Sequence, residues 1–259
     1  MSVMTAVTIK SKDELAIMRE AGRRNAEVRA ILRDAVRPGV TGLELDRLAK
    51  DEIAKRGAEP TFVGYAPGGR PPYPGAICYS VNDELVHGIP GKRALQEGDI
   101  VSIDLGVTYR GYVSDAAFTC AVGDVPEETA ELLRVTEASL WAGIDQARVG
   151  NYLGDISAAI GAWGERAGYG IIAEYGGHGV GREMHEPPHV LNFGRPGVGH
   201  RLKAGMVLAL EPMFALGNPD TEEMSDHWTV RMRDGSLSAH FEETIAITED
   251  GPEVLTRIG

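Results

Sequence analysis

Three carboxylates stand inside apolar runs, and they limit what this chain can fold into. Asp104 lies in Ile100-Val-Ser-Ile-Asp-Leu-Gly-Val107 and Asp115 in Gly111-Tyr-Val-Ser-Asp-Ala-Ala-Phe118, while Glu211 interrupts Met206-Val-Leu-Ala-Leu-Glu-Pro-Met-Phe214. A buried carboxylate without a partner is either costly or protonated, so each of these needs a positive charge close by. Taken singly, such a residue more often caps a turn, pairs with an arginine or faces solvent from an edge strand. The three together point elsewhere. Asp104 and Asp115 are 11 residues apart across a turn near Thr108-Tyr109-Arg110-Gly111. A hairpin centred near Tyr109-Arg110 sets them opposite one another, to within a residue if Gly111 carries a bulge. Two facing carboxylates repel, and a divalent cation between them removes the conflict; the oxygen-rich chemistry suits Mn, Fe, Co or Zn.

Such metals favour a nitrogen donor as well. Tyr175-Gly-Gly-His178-Gly-Val-Gly181 offers one, flanked by glycines that let backbone approach closely. Glycine-rich loops are common, and a structural histidine reads equally well there. No Gly-Lys-Ser/Thr follows, so this is not a phosphate loop. Glu242, in Ala239-His-Phe-Glu-Glu-Thr-Ile245, interrupts a further apolar strand, and its neighbour Glu243, on the opposite face, reads as a solvated charge.

The remaining pattern is helix, helix, strands, and then the same again. Ser11 and Glu14 form a capping box, followed by apolar residues at helical spacing to Val36 and a stop at Arg37-Pro38-Gly39. Thr41 and Glu44 open a shorter helix to about Arg56. Residues 61–75, rich in Gly, Pro and Tyr, read as an irregular loop before the strands begin at 76. Pro126-Glu-Glu128 starts a helix to about Arg148, and another runs from about Leu153 to Arg166, ended by Gly168. A hairpin-like segment surrounds Arg233-Asp234-Gly235. The stops at Gly39 and Gly150 are 111 residues apart, which suggests a pseudo-twofold duplication. One α+β domain spanning 1–259 is expected.

With 26 basic against 38 acidic side chains, the formal charge of -12 repels phosphate backbones, so no nucleic-acid partner is expected. Cys78 and Cys120 alone exclude a disulfide framework and suit a reducing cytoplasm. The start MSVMTAVTIK lacks a long apolar core of the kind a leader needs, and no run of about 18 apolar residues appears, so no membrane association is expected.

The order Asp104, Asp115, His178, Glu211, Glu242, at intervals of 11, 63, 33 and 31, resembles the methionine aminopeptidases. So do the flanking segments VHGIP, DIVSIDLGV, YGGHGVG, MHEPP, LEPM, HWTV and FEETI, which span nearly the whole chain. The short last interval leaves no room for the helical insert of the type II enzymes, so the resemblance is to the short bacterial type I form. It implies the pita-bread fold, with pseudo-twofold helix-helix-strand halves around a curved antiparallel sheet. It implies removal of the initiator methionine from nascent polypeptides, before a small second residue, by a water or hydroxide bridging two divalent ions (Co, Mn, Fe or Zn). Asp104 would then hold one ion, Asp115 and Glu242 would bridge both, and His178 and Glu211 would complete the other shell, with Glu211 also the general base. His185 would stabilise the oxyanion and His87 would contact the substrate amide. Phe62, Tyr65, Tyr73, Cys78, Met184 and Trp228 would line a dry pocket for the thioether. His189, His200, His227 and His240 are left structural or solvent-exposed. Two departures touch the pocket rim: Met184 replaces the usual aromatic residue before the second catalytic histidine, and segment 66–72 is longer than in the short bacterial form. The resemblance also implies action near the ribosome, and a cytoplasmic monomer is expected. A proline-specific peptidase of the same fold, or a non-catalytic binding relative, are the alternatives.

Overall fold

The computed structural model describes residues 7–258; of the amino-terminal stretch read above for a leader, and of the expected 1–259 domain, residues 1–6 and 259 lie outside it. Both predicted capping boxes form. The Ser11 hydroxyl accepts from the Glu14 amide and the Glu14 carboxylate accepts from the Ser11 amide at 2.8 Å, opening α1 (Lys12–Ala35). Thr41 and Glu44 do the same for α2 (Gly42–Lys55). α3 (Glu127–Gln146) carries two glutamates in its first turn, where the helix dipole favours negative charge. α4 (Leu153–Ala167) ends at Gly168, whose φ of 73° belongs to the left-handed cap.

These helices cover one face of a curled antiparallel sheet. Across it run, in spatial order, Glu59–Pro60, Ile100–Tyr109, Tyr112–Ala121, Glu242–Thr248, Val207–Leu210, Gly177–Gly179 and Glu186–Val190. Cys78–Val81 adds to Ile100–Tyr109, and Gly251–Val254 to Glu242–Thr248. Period-two alternation sorts the side chains. Val101, Ile103, Leu105, Leu208, Leu210 and Ile245 face the helices and join Val28, Leu32, Leu45, Ile53, Leu140, Ile144, Ile156 and Ile160 in one buried core. Each such side chain contributes about 1.5–3 kcal/mol on burial. Ser102, Asp104, Ala209 and Glu211 therefore fall on the other face.

The pseudo-halves meet at the pairing of Tyr112–Ala121 with Glu242–Thr248, where Glu242 opposes Ala117 and Glu243 opposes Ala116. Just beyond that pairing, the Thr244 hydroxyl donates to the Asp115 carbonyl at 2.7 Å and accepts from the Asp115 amide at 2.9 Å, so it substitutes for ladder bonds across the seam.

The segment around Arg233-Asp234-Gly235 is not a hairpin. Val230–Met232 pairs with Thr221–Glu223 and Glu84–Val86, whereas Ser238–His240 pairs with Met213–Ala215 in a different sheet. Asp234 turns the chain between them, its carboxylate accepting from the amides of Ser236 and Asn218. Among the described residues, no helix is long and apolar enough to cross a membrane.

Candidate metal centre

Ile100–Tyr109 and Tyr112–Ala121 are joined by a two-residue turn, Arg110-Gly111, with φ of 50° and 76°. Both central residues being left-handed is the tight turn that matches strand twist. No bulge intervenes, and the register differs from the expected one: Asp104 opposes Ala117 and Asp115 opposes Gly106. The two aspartates are thus diagonal neighbours on one face, each opposite a residue too small to crowd it. Glu242 opposes Ala117 from the other side, so Asp104, Ala117 and Glu242 form one row across three strands. Glu211 follows the last residue of Val207–Leu210, and His178 opposes Ala209. All five side chains share the face turned away from the helices.

The donors come close without satisfying each other. His178 Nε2 lies 3.8 Å from Asp115 Oδ2 and 3.6 Å from Glu211 Oε1. One donor atom each from Asp115, His178 and Glu242 fall within 4.8 Å of one another. Asp104 Oδ1, Asp115 Oδ1 and Glu242 Oε1 are buried and accept no hydrogen bond. Among the described residues, no lysine or arginine pairs with any of the four carboxylates. Burial pushes Asp104 up to about 8, with the Glu211 charge adding to it. Burial raises Asp115, Glu211 and Glu242 as well, each further raised by a neighbouring carboxylate. Burial also holds His178 down at about 3, hence neutral. Its Nδ1 sits 2.9 Å from the Gly179 carbonyl, which can only accept; the ring proton is therefore on Nδ1 and Nε2 keeps a lone pair toward the carboxylates. Buried oxygens lacking partners, like charges lacking a counter-ion and a neutral imidazole aimed at them constitute a donor set for divalent cations of the borderline kind.

A cavity beside these residues is lined by Phe62, Tyr65, Tyr73, Cys78, His87, Met184, His185 and Trp228 together with Asp104, Asp115, His178, Glu211 and Glu242. Every residue singled out for the site in the sequence therefore borders one space. The polar tips of its aromatic wall are occupied elsewhere. Tyr73 donates to the Gly88 carbonyl at 2.7 Å, and Trp228 Nε1 to the Pro71 carbonyl at 2.9 Å. The rings of Phe62, Tyr73 and Trp228 meet edge to face and present only apolar surface. Burial pushes the Cys78 thiol well up, so it too is neutral. The 66–72 segment reaches the rim: Arg70 stacks 5.3 Å above the Trp228 ring, donates to the His227 carbonyl at 2.8 Å and pairs with Glu223 at 2.5 Å.

Two further histidines border the same cavity. His185 sits 4.4 Å from His178, ring to ring, and its Nδ1 is 2.8 Å from the Tyr65 hydroxyl. Burial lowers its pKa and lowers that of His87 to about 4, so both are neutral near pH 7. His87 Nδ1 is buried with no partner.

One residue departs from its sequence reading, and a second, left there as structural or solvent-exposed, is buried beside the site. Glu243 is not solvated: it faces α1, is buried, and pairs with Arg29 at 2.7 Å, while Arg29 also donates to the carbonyls of Glu242 and Thr256. His240 is part of the site's surroundings, 2% exposed, with Nε2 3.5 Å from Glu211 Oε2. Its place two positions before Glu242, hence on the same side of an extended chain, was the available clue.

Known proteins match this chain along nearly its whole length. The profile of metallopeptidase family M24 fits residues 16–249. A methionine aminopeptidase of Clostridium acetobutylicum is 49% identical over 251 residues, 96% of this chain and 98% of its own. The crystal structure of a methionine aminopeptidase from Thermotoga maritima superposes with a TM-score of 0.94 at 42% identity, covering 98% of this chain and 100% of that one. A prolidase from Pyrococcus furiosus, 24% identical with a TM-score of 0.78 over 97% of this chain and 66% of its own, shares the fold alone.

Proposed function

The chain belongs to metallopeptidase family M24, among its methionine aminopeptidases, and from that premise we propose that a pair of divalent cations held by five side chains is its means of removing N-terminal methionine. Asp104 would hold one cation, Asp115 and Glu242 would be shared, and His178 and Glu211 would hold the other, all within one catalytic domain. Four carboxylates balance the charge of two such ions. The observation that carries this reading is the set of buried carboxylate oxygens without partners on the wall of an apolar cavity. Bound cations supply Lewis acidity, which brings a water toward a pKa of about 7 and so makes a nucleophile available at neutral pH.

The protein's own groups do the rest. The cavity takes the methionine side chain against Phe62, Tyr73, Met184 and Trp228, where nothing polar competes for it. Glu211 borders the cavity, and it accepts and relays the proton that hydrolysis moves to the leaving amine. The Tyr65 hydroxyl is 2.8 Å from His185 Nδ1; with the hydroxyl donating, the ring proton would sit on Nε2 to bond the scissile carbonyl as charge develops on its oxygen. His87, with a buried nitrogen still free, contacts the substrate amide. Small second residues are preferred. The substrates are nascent polypeptides, met near the ribosome by a cytoplasmic monomer.

Release of methionine from Met-Ala-Ser on addition of Mn, Co, Fe or Zn tests the reading, with an Xaa-Pro peptide as the comparison. Folded, metal-loaded protein that leaves Met-Ala-Ser intact overturns it.

A further inference from the structure

The loop that carries Met184 and His185 is tied from behind by a lysine. Lys10 Nζ lies 2.8 Å from Glu186 Oε2, and the two side chains are only 6% and 10% exposed. The same carboxylate accepts the Thr8 hydroxyl at 2.5 Å, the Arg182 amide at 2.9 Å and the Glu183 amide at 3.4 Å. Its bonds thus close a ring from Arg182 round to Glu186, and two of the three residues inside that ring, Met184 and His185, border the cavity. The ring is fixed at both sides. The Gly181 carbonyl accepts from Val113 at 2.8 Å, and the Lys10 amide donates to the Gly205 carbonyl at 2.7 Å. Space at Gly181 is fully used: a Cβ there would stand 2.4 Å from Glu186 Oε1 and 2.7 Å from Lys10 Cε.

A buried ion pair is weak ground for stability, because desolvation offsets much of the attraction and an apolar replacement is often neutral. What this pair does supply is a fixed carboxylate to which two amides of one short loop can bond. We propose that Lys10 is a positioning residue for the reaction: it holds Glu186 in place, and Glu186 fixes the turn that aims His185 at the scissile carbonyl. The inference rests on His185 having that role.

The experiment compares Lys10→Met, Lys10→Arg and His185→Ala in the full chain, with Met-Ala-Ser as substrate and Mn as the metal. Lys10→Met lowers kcat by about tenfold or more, as a catalytic group displaced by a fraction of an ångström does. KM and Mn affinity by calorimetry stay within about twofold, amide exchange at Arg182 and Glu183 quickens, and Lys10→Arg recovers most of the rate. Should Lys10→Met not fold, Glu186→Gln, which keeps the size, shows the same loss of kcat. Wild-type turnover in His185→Ala sinks the assignment of His185 and the positioning role with it. Lost turnover in His185→Ala beside wild-type turnover in Lys10→Met sinks the positioning role alone, as does a loss of Mn affinity that runs parallel to kcat.

Discussion

His240 Nε2 lies 3.5 Å from Glu211 Oε2, within the buried side of the site and without another partner. A neutral histidine there gives the Glu211 carboxylate a polar neighbour on the side away from His178. Replacing it by leucine removes that neighbour from the group proposed to take and relay the proton. His240→Leu lowers kcat about tenfold, the effect of roughly 1.4 kcal/mol of lost electrostatic support beside a reacting group, while His240→Gln retains most of it. Steady-state rates on Met-Ala-Ser check this.

Removing ligand charge has a larger effect. Asp104→Asn and Glu211→Gln each take one negative charge from the donor set, and Glu211→Gln also removes the proton acceptor. Turnover falls by about a thousandfold or more in both. Calorimetry checks the cause they share, since each variant also loses heat of Mn binding. A rate near wild type in either refutes the five-residue assignment.

The metal-free protein has a pH dependence of definite sign. Burial and neighbouring charge raise Asp104 to about 8, and they raise Asp115, Glu211 and Glu242 as well. An unfolded chain releases these protons near pH 4. The carboxylates therefore make stability fall as pH rises. Below about pH 6.5 the buried histidines, held down by burial, oppose this trend, because the unfolded chain protonates them. Between about 6.5 and 8 the carboxylates act alone, and the folded state binds more protons than the unfolded one. Chelated protein melts at lower temperature at about pH 8 than at about pH 6.5, and saturating Mn narrows that gap because it stabilises the ionised carboxylates. A melting temperature of chelated protein that rises over this interval contradicts the electrostatics described.

Arg29 and Glu243 form a buried pair that holds α1 against the strand carrying Glu242. Breaking it from one side leaves a buried charge unpaired, which costs about 3–5 kcal/mol. Arg29→Met loses roughly that much in urea unfolding, and Glu243→Gln loses less because a neutral amide can still accept from Arg29. Wild-type stability in Arg29→Met would show that the pair is replaceable.

How much of this was legible beforehand differs from residue to residue. Asp104, Asp115 and Glu211 announced themselves because charge in an apolar run has few explanations, and the capping boxes at Ser11 and Thr41 were written in three-residue spacings. The hairpin register was not legible. It depends on Arg110 taking a left-handed backbone, which no side chain of its type advertises, and that shifted Asp104 by two residues from Asp115's partner. Glu243 was placed on the correct face and then misjudged, because the cover on that face comes from α1, over 200 residues earlier in the chain. The break at Arg233-Asp234-Gly235 hid for a similar reason: local turn chemistry looks alike whether the next strand returns to its neighbour or leaves for another sheet.

The seam at which the halves join has a consequence for how activity first arises. Asp115 belongs to one half and Glu242 to the other, and they are brought together where Tyr112–Ala121 pairs with Glu242–Thr248. A chain emerging during synthesis can build the first hairpin and still hold no cation between its carboxylates, because Glu242 is made more than 120 residues after Asp115. Competence therefore comes late and all at once, and neither half alone inherits a fraction of it.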